Sequence, residues 1–124
     1  MRTIAALSLA VLSCSKSPTP GDVCQQLVAA GVAANCKPAT PNGLGARARE
    51  EVAFDLPSVP GHGGGVYVFD KAEDYAATVK AFEGAATLAG PWRFGNEKAR
   101  IFVQLNEGAK PDVGAKARAV VEGL

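Results

Sequence analysis

The residues that could serve as nucleophiles, metal ligands or redox groups in this sequence are three cysteines and one histidine. Around Cys24 and Cys36 there is no redox motif, which places two residues between its cysteines, and no set of four ligands for zinc. A disulfide needs Cα atoms about 4.4–6.8 Å apart, whereas one straight helix would hold these two about 18 Å apart. The sequence therefore predicts that the chain turns back at Gly31 and that Cys24 and Cys36 form a disulfide. A reactive or metal-binding role and unpaired thiols are the alternatives.

His62 lies in the run PGHGGG. Glycine-rich anion-binding loops join a strand to a helix N-terminus, where free N–H groups converge. These glycines instead lead into a predicted strand, and one histidine does not make a metal site. Ser58 is close in sequence, but no G-x-S-x-G motif surrounds it. We expect a hairpin loop and keep His62 as a candidate contact for a ligand or partner. The sequence predicts no catalytic, cofactor-binding or metal-ligating residue.

The third cysteine belongs to the N-terminal segment. Ile4–Leu12 is an apolar run after a short positive start, and it is too short to span a bilayer, which takes about 20 residues. The run ends in Val-Leu-Ser-Cys at Cys14. This segment resembles the signal peptide and lipobox of bacterial lipoproteins. The resemblance implies cleavage before Cys14 and lipidation of its thiol. We therefore expect a signal peptide over 1–13, a lipidated cysteine and tether over 14–21, and a single domain over 22–124.

The expected cellular location and the net charge of the protein limit the classes of partner that we expect. By the same resemblance, Ser15 in place of an Asp after the cysteine implies an outer-membrane anchor facing the periplasm, where a disulfide is stable. The chain has 13 Lys and Arg against 12 Asp and Glu, and removing Arg2 with the leader leaves 12 against 12. Bulk capture of nucleic acid needs a basic excess, so nucleic acid is not expected as a partner. Arg47 and Arg49 are expected to be solvated.

The periodicity of apolar residues predicts the elements of an α+β domain. A helix opens at Asp22, a surface loop covers 37–48, strands follow at 51–56 and 66–69, a helix capped by Asp70 comes next, strands follow at 92–94 and 99–105, and a last helix starts at Pro111. The expected order is a disulfide-closed N-terminal helix followed by ββαββα. We expect a four-stranded, mainly antiparallel sheet with two helices on one face.

Aromatic residues are the other candidate contacts. Tyr67 and Phe69 alternate with apolar residues along one strand, so one sheet face would expose aromatics unless another segment covers it. We expect the N-terminal disulfide segment to cover that face. The alternative is an exposed patch in which Tyr67, Trp92 and Arg93 contact a ligand or partner.

The segment C-QQLVAAGVAAN-C and the run GPWRFGNEKARIFVQLN resemble small envelope lipoproteins of Gram-negative bacteria. This resemblance implies a location and no mechanism. Our functional hypothesis is a lipid-anchored, non-enzymatic binding module of the cell envelope, with a protein or another envelope component as partner. The alternative is a small-molecule carrier or enzyme that uses a pocket between sheet and helices.

Overall fold

The computed structural model describes residues 18–124. The predicted signal peptide and Cys14 lie outside the described residues. The elements in chain order are α1 (Pro20–Ala29), β1 (Ala34–Ala39), a 3₁₀ turn (Gly43–Gly45), β2 (Glu50–Asp55), β3 (Gly63–Val68), α2 (Ala72–Gly84), α3 (Ala86–Ala89), β4 (Trp92–Asn96), β5 (Ile101–Leu105) and α4 (Pro111–Glu122). The fold is α+β.

The strands form one antiparallel sheet in the order β1-β2-β3-β5-β4. The prediction of four strands is therefore wrong, because part of the expected 37–48 loop belongs to a fifth strand, β1. Its sequence, ANCKPA, has little β propensity. Pairing with β2 and a disulfide at Cys36 hold it in place instead. Pro38 is tolerated because β1 is an edge strand, and the positive φ of 56° at Asn35 accompanies a register shift.

Helix α1 begins earlier than predicted. The Thr19 hydroxyl accepts a hydrogen bond from the Asp22 amide at 3.0 Å, and the Asp22 carboxylate accepts one from the Thr19 amide. Because this reciprocal cap places Pro20 in the first turn, the helix includes two residues that we assigned to the tether. The chain reverses at Gly31, with φ 82°, and Cys24 bonds to Cys36 with Cα atoms 6.2 Å apart. The predicted turn and disulfide are confirmed.

Both faces of the sheet are covered, and by different helices. One face is largely aliphatic and packs against α1 and α4; its fully buried residues include Leu27, Val66, Val103 and Val121. The other face is aromatic and packs against α2. The prediction that the two long helices share one face is therefore wrong. The N-terminal segment does cover a face, but that face is the aliphatic one.

Helix α2 differs from its prediction at the start. Lys71 occupies the N-cap position and makes no side-chain cap bond, so the expected Asp70 cap is absent. The buried residues of the helix are Tyr75, Thr78 and Phe82. Thr78 is 1% exposed, and its hydroxyl has no hydrogen-bond partner among residues 18–124.

Three glycines that we expected in the hairpin loop belong to β3. A β-carbon on Gly64 would collide with the Gln104 carbonyl oxygen and the Phe54 ring. The strand can therefore lie this close to its neighbours only because the residue has no side chain. The connection between β2 and β3 is limited to residues 56–62.

The antiparallel register defines two ends of the sheet. At one end Glu50 pairs with Val68 and Val68 with Ile101; Pro18 lies beside this end, which we call the Pro18 end. At the other end Asp55 pairs with Gly63, next to His62, and we call it the His62 end.

Candidate binding surface

A shallow depression opens on the aromatic face between the sheet, α2 and the 3₁₀ turn. Its volume is about 240 Å³. Its lining residues are Asn42, Gly43, Leu44, Gly45, Tyr67, Phe82, Gln104 and Asn106. We call it the Tyr67 depression. It lies toward the His62 end, since Asn106 follows β5 and its amide donates to the Gly63 carbonyl at 2.8 Å.

The floor of the depression is a packed group of aromatic rings. The Tyr67 ring centroid is 5.8 Å from that of Phe82 and 6.5 Å from that of Phe102, and the last two are 4.9 Å apart. Tilted rings at these distances attract each other beyond the area they bury. The floor is therefore held by side chains from β3, β5 and α2 together.

The 3₁₀ turn forms the lip. Gly45 lies directly against the Tyr67 ring, where a β-carbon would collide with ring carbons. This close approach positions Leu44 at the rim, with 39% of its surface exposed. Leu44 is thus one of the two large apolar residues that the described chain exposes; the other, Val28 on α1, is 38% exposed.

Side-chain amides form the polar part of the rim. The Gln104 side-chain amide donates to the Asn106 side-chain oxygen at 3.1 Å. Asn42, at the start of the 3₁₀ turn, also lines the depression. Amides both donate and accept hydrogen bonds, so this rim can pair with neutral polar groups of either kind.

The Tyr67 hydroxyl donates a hydrogen bond to the Glu51 carboxylate on the neighbouring strand. Burial, and then the nearby carboxylate charge, raise the pKa of Tyr67 well above its ordinary range. Burial also raises the pKa of Glu51, and the bond from Tyr67 partly offsets this rise. Tyr67 therefore stays protonated at neutral pH and is unsuited to act as a base or nucleophile.

The four candidate contact residues from the sequence do not form one site. Trp92 lies on the aliphatic face, where its ring N–H donates to the Ala109 carbonyl at 2.8 Å. Arg93 lies on the other face and pairs with Glu83 at 3.3 Å. His62 is exposed in the hairpin turn, with its amide bonded to the Val59 carbonyl. Only Tyr67 lines the depression.

Sequence reasoning missed Leu44, Gln104 and Asn106. Leu44 fell in the expected loop, where a single apolar residue gives no signal. Gln104 carried a signal, because it interrupts an otherwise apolar strand, IFVQL. No group of three or more His, Cys, Asp or Glu side chains within residues 18–124 is arranged to hold a metal ion.

No protein-family model, curated protein or solved structure matches this chain. None of the helices formed by residues 18–124 has the length and apolar character needed to cross a membrane.

Proposed function

We propose that this protein is a lipid-anchored binding module of the cell envelope that holds a polypeptide partner in the Tyr67 depression. The anchor is Cys14, by default in the outer membrane and facing the periplasm. The observation that supports binding most directly is exposed Leu44 standing beside an aromatic floor and an amide rim. Apolar contact next to satisfied polar groups is typical of the centre of a protein interface.

The chemistry of the depression favours a neutral peptide segment. None of its lining residues is charged, so it offers no strong attraction to an anion or a cation. The amide rim can pair with backbone N–H and C=O groups, while Leu44 and the aromatic floor accept an apolar side chain. The raised pKa of Tyr67 makes its hydroxyl a poor base or nucleophile, which is compatible with a binding role.

The depression also lies between the sheet and a helix, which is where the alternative function, a small-molecule carrier or enzyme, would have its pocket. Sites for drug-sized ligands usually enclose about 300–1,000 Å³ and bury most of the ligand. A depression of about 240 Å³ is smaller than these and holds one or two side chains. A peptide that lies across the surface therefore fits better than an enclosed metabolite.

Site-specific photocrosslinking in the native cell tests the proposal. A photoreactive phenylalanine analogue at Leu44 is compared with the same analogue at Val28, which is equally exposed but lies on the opposite side of the sheet. We expect a discrete crosslinked protein from position 44 alone, and a weaker crosslink when Asn106→Ala is added. Equal crosslinking from both positions, or none from either, contradicts the proposal.

Two further measurements separate the parts of the proposal. Mass spectrometry of the processed N-terminus shows whether Cys14 carries acyl groups and whether residues 1–13 are removed. A shift in melting temperature with a metabolite panel, lost in the Asn106→Ala variant, would favour the carrier alternative.

A further inference from the structure

Basic side chains from separate parts of the chain meet at the Pro18 end of the sheet. Arg49 precedes β2, and Lys98 and Arg100 lie in the turn between β4 and β5. With Asp70, they line a cavity of about 340 Å³ whose inner wall includes the buried Val68 and Phe69. We call it the basic cavity. Because it is lined by three cations and one carboxylate, its net charge is +2.

The cavity is ordered by bonds to one residue. Arg49 pairs with the Asp70 carboxylate at 3.2 Å, and the Arg100 guanidinium donates to the Asp70 carbonyl oxygen. Glu50 is 4.0 Å from Arg49 on the outer side. Lys98 makes no ion pair with any residue from 18 to 124, so its ammonium is available to a ligand.

The backbone conformation of Arg100 also supports a built site. Its φ is 58°, a left-handed conformation in which Gly or Asn is favoured and other residues are uncommon. Its amide bonds to the Glu97 carbonyl and its carbonyl to the Phe69 amide, which fix this conformation. An arginine here brings a guanidinium to the cavity at a position where the backbone alone favours glycine.

The basic cavity lies close along the chain to the proposed lipid anchor. Pro18 lines the cavity. Cys14 precedes Pro18 by four residues, which span at most about 14 Å in any conformation. An acylated Cys14 would therefore keep the cavity close to the lipid headgroups, within about two Debye lengths at physiological ionic strength. The Tyr67 depression lies toward the His62 end of the strands, farther from Pro18.

We propose that the basic cavity binds the phosphate of an anionic phospholipid headgroup in the membrane to which Cys14 is anchored. This inference rests on the anchoring in the proposed function. Two guanidinium groups can bind phosphate oxygens with several donors each, and the lysine adds a point charge. The anchor raises the local headgroup concentration, so a site of modest affinity is filled. The site fixes how the domain stands on the membrane.

The test uses the purified, processed chain reconstituted in nanodiscs. The discs contain phosphatidylcholine alone or with added phosphatidylglycerol, and mass spectrometry measures the acetylation rate of each lysine by an amine-reactive ester. Lys98 is compared with Lys110, which is also exposed but follows β5 at the His62 end. We expect Lys98 acetylation to slow about fivefold in the anionic discs, with little change at Lys110.

Matched variants separate a built site from general surface charge. Arg49→Gln removes a cavity cation, whereas Arg47→Gln removes the same charge nearby from a residue that does not line the cavity. We expect Arg49→Gln to abolish most of the Lys98 protection and Arg47→Gln to keep it. Equal loss in both variants would contradict a specific site.

A last arm identifies the source of the phosphate. If millimolar inorganic phosphate slows Lys98 acetylation in neutral discs as much as phosphatidylglycerol does, the lipid assignment is wrong. If Cys14 carries acyl groups but Lys98 reacts equally in both discs, the headgroup site alone is refuted. If Cys14 carries none, the anchoring itself is refuted.

Discussion

Tyr67 and Glu51 face each other across the pairing of β2 with β3, and the tyrosine hydroxyl donates a hydrogen bond to the glutamate carboxylate. Both groups lie over Gly65, where a β-carbon would stand 3.1 Å from the hydroxyl oxygen and 3.2 Å from a carboxylate oxygen. The glycine thus leaves room for the pair. The bond links a half-buried carboxylate to the floor of the Tyr67 depression. Its effects on stability and on the two pKa values can be measured in the isolated protein.

The first prediction concerns alkaline stability. The pKa of Tyr67 is raised in the folded protein, so above about pH 10 the unfolded chain loses this proton first and binds fewer protons than the folded chain. The free energy of unfolding should therefore fall as pH rises, by about 1.4 kcal/mol per pH unit for one such group.

We expect Tyr67→Phe to remove the larger share of this fall. Tyr75→Phe, whose pKa is raised by burial and then by Glu97, should remove a smaller share. Denaturation followed by circular dichroism from pH 9 to 11 measures both. An unchanged pH slope in Tyr67→Phe would refute the raised pKa of the buried Tyr67 hydroxyl.

The second prediction concerns the carboxylate. The bond from Tyr67 lowers the pKa of Glu51 against the effect of burial. Removing the donor with Tyr67→Phe should therefore raise the Glu51 pKa further, which an NMR titration of the side-chain carboxyl carbon can follow. Tyr75→Phe serves as the control, because Glu97 and not Glu51 is the carboxylate that acts on this tyrosine, and it should leave the Glu51 pKa unchanged. A Glu51 pKa that falls or stays constant would show that the bond is absent in solution.

The third prediction concerns the disulfide. In the chain-entropy account, replacing Cys24 and Cys36 with serine should lower the free energy of unfolding by about 3 kcal/mol. Strand β1 pairs with one neighbour only, so its amides should gain the largest increase in hydrogen exchange. Reduction of the unmodified protein should reproduce both effects. Uniform exchange across the sheet would mean that β1 is held by pairing alone.

The fourth prediction compares two glycines. Gly64→Ala places a methyl group against the Gln104 carbonyl oxygen and the Phe54 ring, and should destabilise the protein by about 2–3 kcal/mol. Gly84→Ala, at the end of α2, meets nothing within 4 Å and should stabilise it by about 0.5–1 kcal/mol. Chemical denaturation of the two variants gives the comparison. Similar values for both would contradict the close approach at Gly64.

The fifth prediction concerns the buried hydroxyl of Thr78. It has no hydrogen-bond partner within the described part of the chain, so Thr78→Val should stabilise the protein by about 1–2 kcal/mol, because the side chain keeps its shape and loses the desolvated group. Thr78→Ser keeps the hydroxyl and loses a methyl group, so it should destabilise by about 1 kcal/mol. Thermal or chemical denaturation distinguishes the two. Destabilisation by valine would reveal a partner for the hydroxyl in solution.

Local signals in the sequence predicted some features correctly. The turn at Gly31 and the pairing of Cys24 with Cys36 followed from helix geometry over a short stretch. The strand predicted at 99–105 is observed as β5 (Ile101–Leu105), and Ile101, Val103 and Leu105 lie on the aliphatic face. Each of these features depends on residues that are close in the sequence.

Features that depend on distant residues were missed. Strand β1 has weak β propensity and exists through β2 and a disulfide, so composition alone indicated a loop. The choice of face for α2 and α4 was not readable, since the strands are apolar on both sides and each helix has one buried stripe. The strand order brings Leu44 close to Gln104 in the Tyr67 depression. It also brings together the three cations of the basic cavity at the other site. Lys98 and Arg49 are far apart in the chain, and nothing in the local sequence links them.

The link between Cys24 and Cys36 also determines how this domain would respond to mechanical load from its N-terminal side. Tension that enters through Thr19 can unravel the start of α1, but at Cys24 it passes through the sulfur bridge into β1. The intervening residues of α1 and the Gly31 turn are bypassed. Strand β1 is hydrogen-bonded to β2, so the hydrogen bonds between these two strands resist the tension. Tension on the N-terminal side would therefore load the β1–β2 ladder before it reaches the central strands β3 and β5.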